Sequence, residues 1–230
     1  MNPSNSATPT EIAAARLPAG LAAELRHRMV QSQLQTVGVN DPLVMAAFEQ
    51  VPREAHLPAT LSGLAYADAA LEVAPGRYLL EPMALALLLQ HAGLAAGARV
   101  LVVGAATGYS AAIAAKAGAV VTALEDDERL LPLLRTSLTG CTIAQGPLQA
   151  GWAATAPFDI ILFEGAIEHI PPAIAAQLAP GGRAAAVVRE AGIGHARAGP
   201  LVGGRIVAPA FLEVAAQPLP GFARPREFAF

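Results

Sequence analysis

The 230-residue chain is 54% hydrophobic and only 14% charged, with a formal net charge of −3. Its arginines are scattered rather than clustered, which argues against a nucleic-acid partner, and no apolar run approaches the roughly eighteen residues of a membrane span. Its one cysteine, Cys141, cannot form an internal disulfide, so a reducing, cytoplasmic setting is expected.

Met1 to Thr10 are polar and proline-bearing, with no positive start and no continuous apolar core, so they do not read as a secretory signal. Residues 1–20 read as a disordered lead-in and 21–230 as a single domain. Leu21 to Val37 predicts a first helix, with an apolar stripe through Leu25, Met29 and Leu34, stopped by Gly38. Asn40-Asp41-Pro42 opens a second, with a capping side chain and a proline in the first turn, and Val51-Pro52 ends it. Leu64 to Asp68 reads as a loop. Residues 21–75 therefore predict a helical cap. Arg77 to Pro82 reads as the approach to a helix reaching Gly93.

A regular alternation follows across a core at 76–190. It runs strand 99–103, helix 109–117, strand 119–124, helix 127–138 and strand 141–144, then strand 160–163, helix 172–178 and strand 184–188. This predicts an α/β fold, Rossmann-like, with a mostly parallel sheet covered on both faces. After Arg189 glycine and proline punctuate the chain; Leu201–Val207 and Phe211–Ala216 are expected as antiparallel strands finishing the sheet within 191–230. Phe222, Phe228 and Phe230 suggest a tail that packs back on the body.

The stretch Val100-Leu101-Val102-Val103-Gly104-Ala105-Ala106-Thr107-Gly108-Tyr109 carries the chemistry. A buried strand stops at a tight small-residue loop and restarts as a helix, and ligands of such sheets sit beyond the strands' carboxyl ends. A dinucleotide fingerprint is excluded, because its three glycine places hold Gly104, Ala106 and Tyr109. A P-loop is excluded because the only lysine, Lys116, lies inside the helix. The spacing Gly104, Ala106, Gly108 matches the G-x-G-x-G loop of S-adenosylmethionine-dependent methyltransferases with its middle glycine replaced. Glu125 lies about twenty residues on, where an acid reaches ribose hydroxyls. Glu125-Asp126-Asp127-Glu128 would repel a phosphate and tolerate a sulfonium. The plainer account of the loop is a small-residue turn found in any α/β protein.

Taken together, Met29-Val30 with Gln33, Asp41-Pro42, Val51-Pro52-Arg53-Glu54, Leu64-Ala65-Tyr66-Ala67-Asp68, Gly108-Tyr109, Gly151-Trp152, Pro157-Phe158-Asp159, Ile170-Pro171 and Leu178-x-Pro-Gly-Gly-Arg183 resemble protein-L-isoaspartate O-methyltransferases, in family order. The resemblance implies a class I methyltransferase fold with a seven-stranded sheet. It also implies S-adenosyl-L-methionine as cofactor and methyl transfer to the α-carboxylate of isoaspartyl residues in a peptide or protein substrate. Carried over by position, the cofactor-binding candidates are Gly104, Ala106, Thr107, Gly108, Tyr109, Glu125, Asp126 and Gly146, and the substrate rim holds Tyr78, Leu80, Glu81 and Glu164. The departures fall at the site. The family's Thr-x-Ser-Gln-Pro is Tyr78-Leu79-Leu80-Glu81-Pro82, the acid two before the first loop glycine is Val102, and Gly-Asp-Gly near the adenine is Gly146-Pro147-Leu148.

Glu81 and Glu164 are the candidate catalytic carboxylates; the plainer alternative for Glu81 is the N-cap before Pro82, while Glu164 stands at a strand tip, where ligand crevices form. Two acids on the rim would repel an isoaspartyl carboxylate and suit a basic or hydroxyl-bearing acceptor. A non-catalytic relative that keeps the fold is the alternative, suggested by the joint changes at Leu80, Val102 and Pro147. A hydrolase has little support, since no Gly-x-Ser-x-Gly and no metal-spaced histidine pair occurs; His169 is expected to be a solvent-exposed loop residue.

Overall fold

The computed structural model describes residues 16–224. Of the lead-in expected at 1–20, residues 1–15 lie outside the described residues, as do Phe228 and Phe230, while Ala19 and Gly20 already belong to the first helix. Helix α1 spans Ala19–Met29, two residues earlier than expected, and continues as a single π turn over Val30–Leu34 and a 3-10 turn over Gln35–Val37. Gly38, at φ 92°, ends the run, as its position suggests. Helix α2, Pro42–Gln50, begins as anticipated: the Asp41 carboxylate accepts from the amides of Leu43 and Val44, and Pro42 occupies the first turn.

Where only an approach to a helix is expected, β1 (Leu71–Ala74) pairs antiparallel with β2 (Arg77–Leu79) in a separate hairpin. The alternation in β2 buries Arg77 and Leu79 and leaves Tyr78 half-exposed, opposite Glu72. Helix α3, Pro82–Ala92, has eight of its eleven residues buried, so it is an interior helix rather than an amphipathic one.

The core sheet follows: β3 (Arg99–Val103), α4 (Tyr109–Lys116), β4 (Val120–Glu125), α5 (Leu131–Ser137), β5 (Thr142–Gln145), β6 (Phe158–Ile167), α6 (Pro172–Ala175), β7 (Leu178–Glu190) and β8 (Ile193–Gly199). Two short strands, β9 (Leu201–Val202) and β10 (Arg205–Ile206), form a second hairpin, and β11 (Leu212–Glu213) is the last strand among the described residues. The seven-stranded sheet has the order β11-β8-β7-β6-β3-β4-β5. Its pairs from β7 to β5 are parallel, while β8 runs antiparallel to both β7 and β11. The expected mostly parallel sheet is thus present.

The continuous apolar run of β3 reflects burial on both faces. Val100 and Val102 join the core cluster shared with α3, α4 and the cap, and Leu101 and Val103 join the opposite one with Ile161, Phe163 and Phe222. Val102 is completely buried, so the position where the family pattern places an acid is part of the core here.

Of the two C-terminal segments expected as antiparallel strands, Phe211–Ala216 supplies β11 at the sheet edge, whereas Leu201–Val207 needs correction. The strand after Arg189 is β8, and Leu201–Ile206 forms its own hairpin outside the main sheet. Helix α6 stops at Ala175, and Ala179 to Gly182 bulge between the pairs Phe158–Leu178 and Ile160–Arg183. Among the described residues no helix is long and apolar enough to cross a membrane.

Candidate functional site

Beyond β3 the chain turns through Gly104 (φ 72°), Ala106 (φ 51°) and Gly108 (φ 89°) into α4. Ala106 holds the left-handed conformation of the glycine it replaces, at a cost of about 1 kcal/mol. The loop is anchored by Ala105 N–H donating to the Leu124 carbonyl (2.9 Å) and Ala106 N–H donating to Glu125 Oε2 (2.7 Å). The expected juxtaposition of loop and acid therefore exists, at the carboxyl ends of β3 and β4.

Glu125 is not open to a ligand. It is fully buried, and Arg77 Nη1 and Nη2 donate to its two oxygens at 2.5 and 2.6 Å. The amides of Ala106, Asp126 and Asp127 also donate to it. Two carboxylate oxygens offer about four acceptor sites. Five donors saturate them and leave none for ribose hydroxyls. Burial pushes the Glu125 carboxyl up, against the Arg77 guanidinium and the amides, which hold its charge. Asp126 Oδ1 accepts a further bond from Arg77 Nη1 at 3.1 Å.

The space over the loop is filled from the other end of the chain. After β11 the tail crosses the tip of β6. The Gln217 carbonyl accepts from Ala166 N–H (2.8 Å), Leu219 N–H donates to the Ala166 carbonyl (2.7 Å), and the Phe222 carbonyl accepts from Glu168 N–H (2.9 Å). Leu219 and Phe222 are buried, with Phe222 edge-on to Phe163 at 5.4 Å. The expectation of a tail packed on the body holds for Phe222. A Cβ at Gly104 would lie 2.7 Å from Leu219 Cδ1 and 3.0 Å from Arg77 Nη2. Beside this seat a shallow depression remains, lined by Asp126, Gln145, Gly146, Pro147 and Gln149.

The other predicted cofactor residues separate. A Cβ on Gly108 would meet Leu134 Cδ1 at 2.7 Å, so Gly108 serves the packing of α5 against the loop. Thr107 is buried, its carbonyl contacting His56 Nδ1 at 3.1 Å and accepting from Ser137 Oγ at 2.8 Å. Tyr109 turns into the cap, edge-on to Phe48 and His56, with the Arg53 guanidinium 4.6 Å from its ring centre. Burial pushes its hydroxyl up to about 12.

On the acceptor side, Leu80 is wired through its backbone. Its N–H donates to Glu164 Oε1 at 2.8 Å, and its carbonyl accepts from Arg53 Nη2 at 2.9 Å. Glu164, at the tip of the parallel part of β6, is pushed up to about 7 by burial, against the Leu80 amide and the Arg53 and Arg77 charges. Glu164 Oε2, Arg53 Nε and Nη1, and Tyr109 Oη are buried with no hydrogen-bond partner. Sequence reasoning placed Glu164 here but missed Arg53 and Arg77, which it read only as motif and approach. Glu81 occupies the N-cap position of α3, as its plainer alternative has it, but its side chain makes no capping hydrogen bond. It is half-buried and held above the ordinary carboxylate range by burial and by the Asp68 charge. Tyr78 lies on the outer side of its hairpin and joins neither group. His169 is half-buried rather than exposed, and its Nδ1 has no partner.

In this arrangement the residues present do not fit S-adenosylmethionine. The ribose acceptor is saturated by Arg77, and Leu219 lies where the loop's glycine would leave room.

A family profile for protein-L-isoaspartate(D-aspartate) O-methyltransferase matches residues 25–194. The Methylorubrum extorquens (strain PA1) protein-L-isoaspartate O-methyltransferase is 42% identical over 165 residues, covering 70% of this chain and 72% of that protein. The Methylorubrum populi enzyme of the same name is 39% identical, covering 69% and 76%. A Plasmodium falciparum protein assigned to these methyltransferases, in complex with S-adenosyl-L-homocysteine, superposes with a TM-score of 0.66 at 17% identity, over 80% of this chain and 91% of that one. That last likeness supports the fold.

Proposed function

The chain belongs to the protein-L-isoaspartate O-methyltransferase family, whose members are S-adenosylmethionine-dependent enzymes, and on that premise we propose that it methylates an acceptor other than the isoaspartyl carboxylate. The observation that carries this reading is Leu80. Where the family pattern places a hydroxyl, this chain buries an apolar side chain and uses its backbone to link Arg53 to Glu164. The Leu80 side chain itself offers no donor to a substrate carboxylate. Glu81 and Asp68 add negative charge at the rim, and Glu164 is about half ionised near neutral pH. A neutral hydroxyl or a basic group suits such a rim; an anion does not.

S-adenosylmethionine, if held at the loop, would bring a methyl group already activated on a sulfonium, leaving placement to the protein. Transfer by this chain would require Arg77 and Leu219 to leave the cradle they fill. A second reading has its own support. In it Arg77 and Leu219 hold the cradle permanently, and the chain is a non-catalytic member whose Glu125 has exchanged a ligand for an internal ion pair.

Tritiated methyl incorporation at millimolar cofactor, into matched isoaspartyl, aspartyl, seryl and lysyl peptides, tests the proposal. Little isoaspartyl-selective turnover is expected. Robust transfer to the isoaspartyl peptide alone returns the chain to isoaspartyl repair.

A further inference from the structure

We propose that the segment 217–222, together with Arg77, is an internal occupant of the cofactor cradle, and that cofactor enters only as this plug leaves. The proposal rests on the cofactor reading above and adds its regulation.

Three independent contacts place the plug in the crevice between β3 and β6, where the sheet changes its direction of winding and a ligand would sit. Leu219 lies over both glycines that line the crevice: its Cδ1 is 2.7 Å from a Cβ position on Gly104, and its Cβ is 3.1 Å from one on Gly165. Both glycines have positive φ, and such backbone lets another group approach closely. Arg77 reaches the same place from the cap side and satisfies Glu125 with two bonds. Its geometry imitates what two neighbouring ribose hydroxyls would offer a carboxylate. The depression at Asp126, Gly146 and Pro147 stays open beside the seat, so the plug covers one half of the site and leaves the other.

Leaving the seat exposes two buried side chains, Leu219 and Phe222, and breaks few backbone contacts. The tail is held at the strand tip by three backbone hydrogen bonds from residues 217–222, with Gln149 Nε2 reaching the Pro220 carbonyl only at 3.5 Å. Pro218, Pro220 and Gly221 keep this stretch out of any helix or long strand, so its removal breaks no further element among the described residues. Arg224 N–H donates to Glu168 Oε2 and forms a hinge-side tether. A ligand that binds only the open form has its apparent affinity reduced by the open fraction. Weakening the plug therefore tightens binding without adding a contact.

The test is calorimetric titration of S-adenosylhomocysteine into the full chain, into Leu219→Ala and into Arg77→Gln. It is paired with amide hydrogen exchange on the unmodified protein with and without saturating ligand. Each variant is expected to bind at least about tenfold more tightly than the unmodified chain. Ligand should also accelerate exchange at Ala166, Glu168 and Leu219. Equal affinity in all three proteins, with those amides still protected, overturns the plug and leaves the cofactor reading standing. No binding by any of the three, each shown folded by circular dichroism, overturns both. Should Leu219→Ala fail to fold, Arg77→Gln and the exchange measurement decide in the same terms.

Discussion

Replacing Glu164 by glutamine should stabilise the protein in a way that grows with pH. In the folded chain the Glu164 carboxyl is pushed from 4.5 up to about 7, mainly by burial. Between those values the folded state keeps a proton that the unfolded state has released. The stabilising contribution is therefore complete below about pH 4.5 and is lost as pH rises through about 7. At about 1.4 kcal/mol per tenfold in proton affinity, the loss approaches 3 kcal/mol. Glu164→Gln keeps an oxygen for the Leu80 amide and cannot ionise, so it escapes that loss. The attraction of Arg53 for the carboxylate is already contained in the raised value. Urea unfolding of both proteins at pH 5 and pH 8 measures the difference. Relative to the unmodified chain, the variant should gain about 2–3 kcal/mol between the two conditions. A difference that is independent of pH, or that falls, refutes the burial argument.

Leu80→Ser should restore a hydroxyl and Glu81→Gln should remove like charge; the double variant should raise isoaspartyl methylation by tenfold or more over either single change, read by tritiated methyl incorporation. Loss of a buried leucine makes Leu80→Ser less stable by about 2–4 kcal/mol, so rates are to be compared well below its melting temperature. Gly108→Val should destabilise the fold by about 2–4 kcal/mol, because its Cβ would meet Leu134 at 2.7 Å on a backbone at φ 89°. An unchanged melting temperature with lost ligand binding would instead place Gly108 against the cofactor.

The sheet was legible because β-branched runs buried on both faces leave a periodicity that needs no partner to be read, as at Val100–Val103. The loop and Glu125 were legible because their spacing is fixed by one strand–loop–helix–strand unit. Strand β8 was not. Its inward positions are Gly194, Ala196 and Ala198, too small to produce an apolar signal, while His195 and Arg197 alternate with them. The small residues are required, since a Cβ on Gly194 would meet the Val214 carbonyl at 2.2 Å. Arg77 was illegible for a different reason. An arginine beside a Pro-Gly turn reads as a solvated charge, and only the meeting of the hairpin with a strand tip 48 residues on reveals it as the partner of Glu125. Leu219, alone between two prolines, carries no periodic signal at all. The closure of the cradle thus depends on long-range contacts, whereas its construction is local.

A crystal structure of the full chain grown with saturating S-adenosylhomocysteine tests the central claim most directly. It should place the ligand's ribose on Glu125, with Arg77 turned away and residues 217–222 lifted from Gly104 and Gly165. Ligand bound elsewhere, with Leu219 still seated against Gly104, would contradict the account.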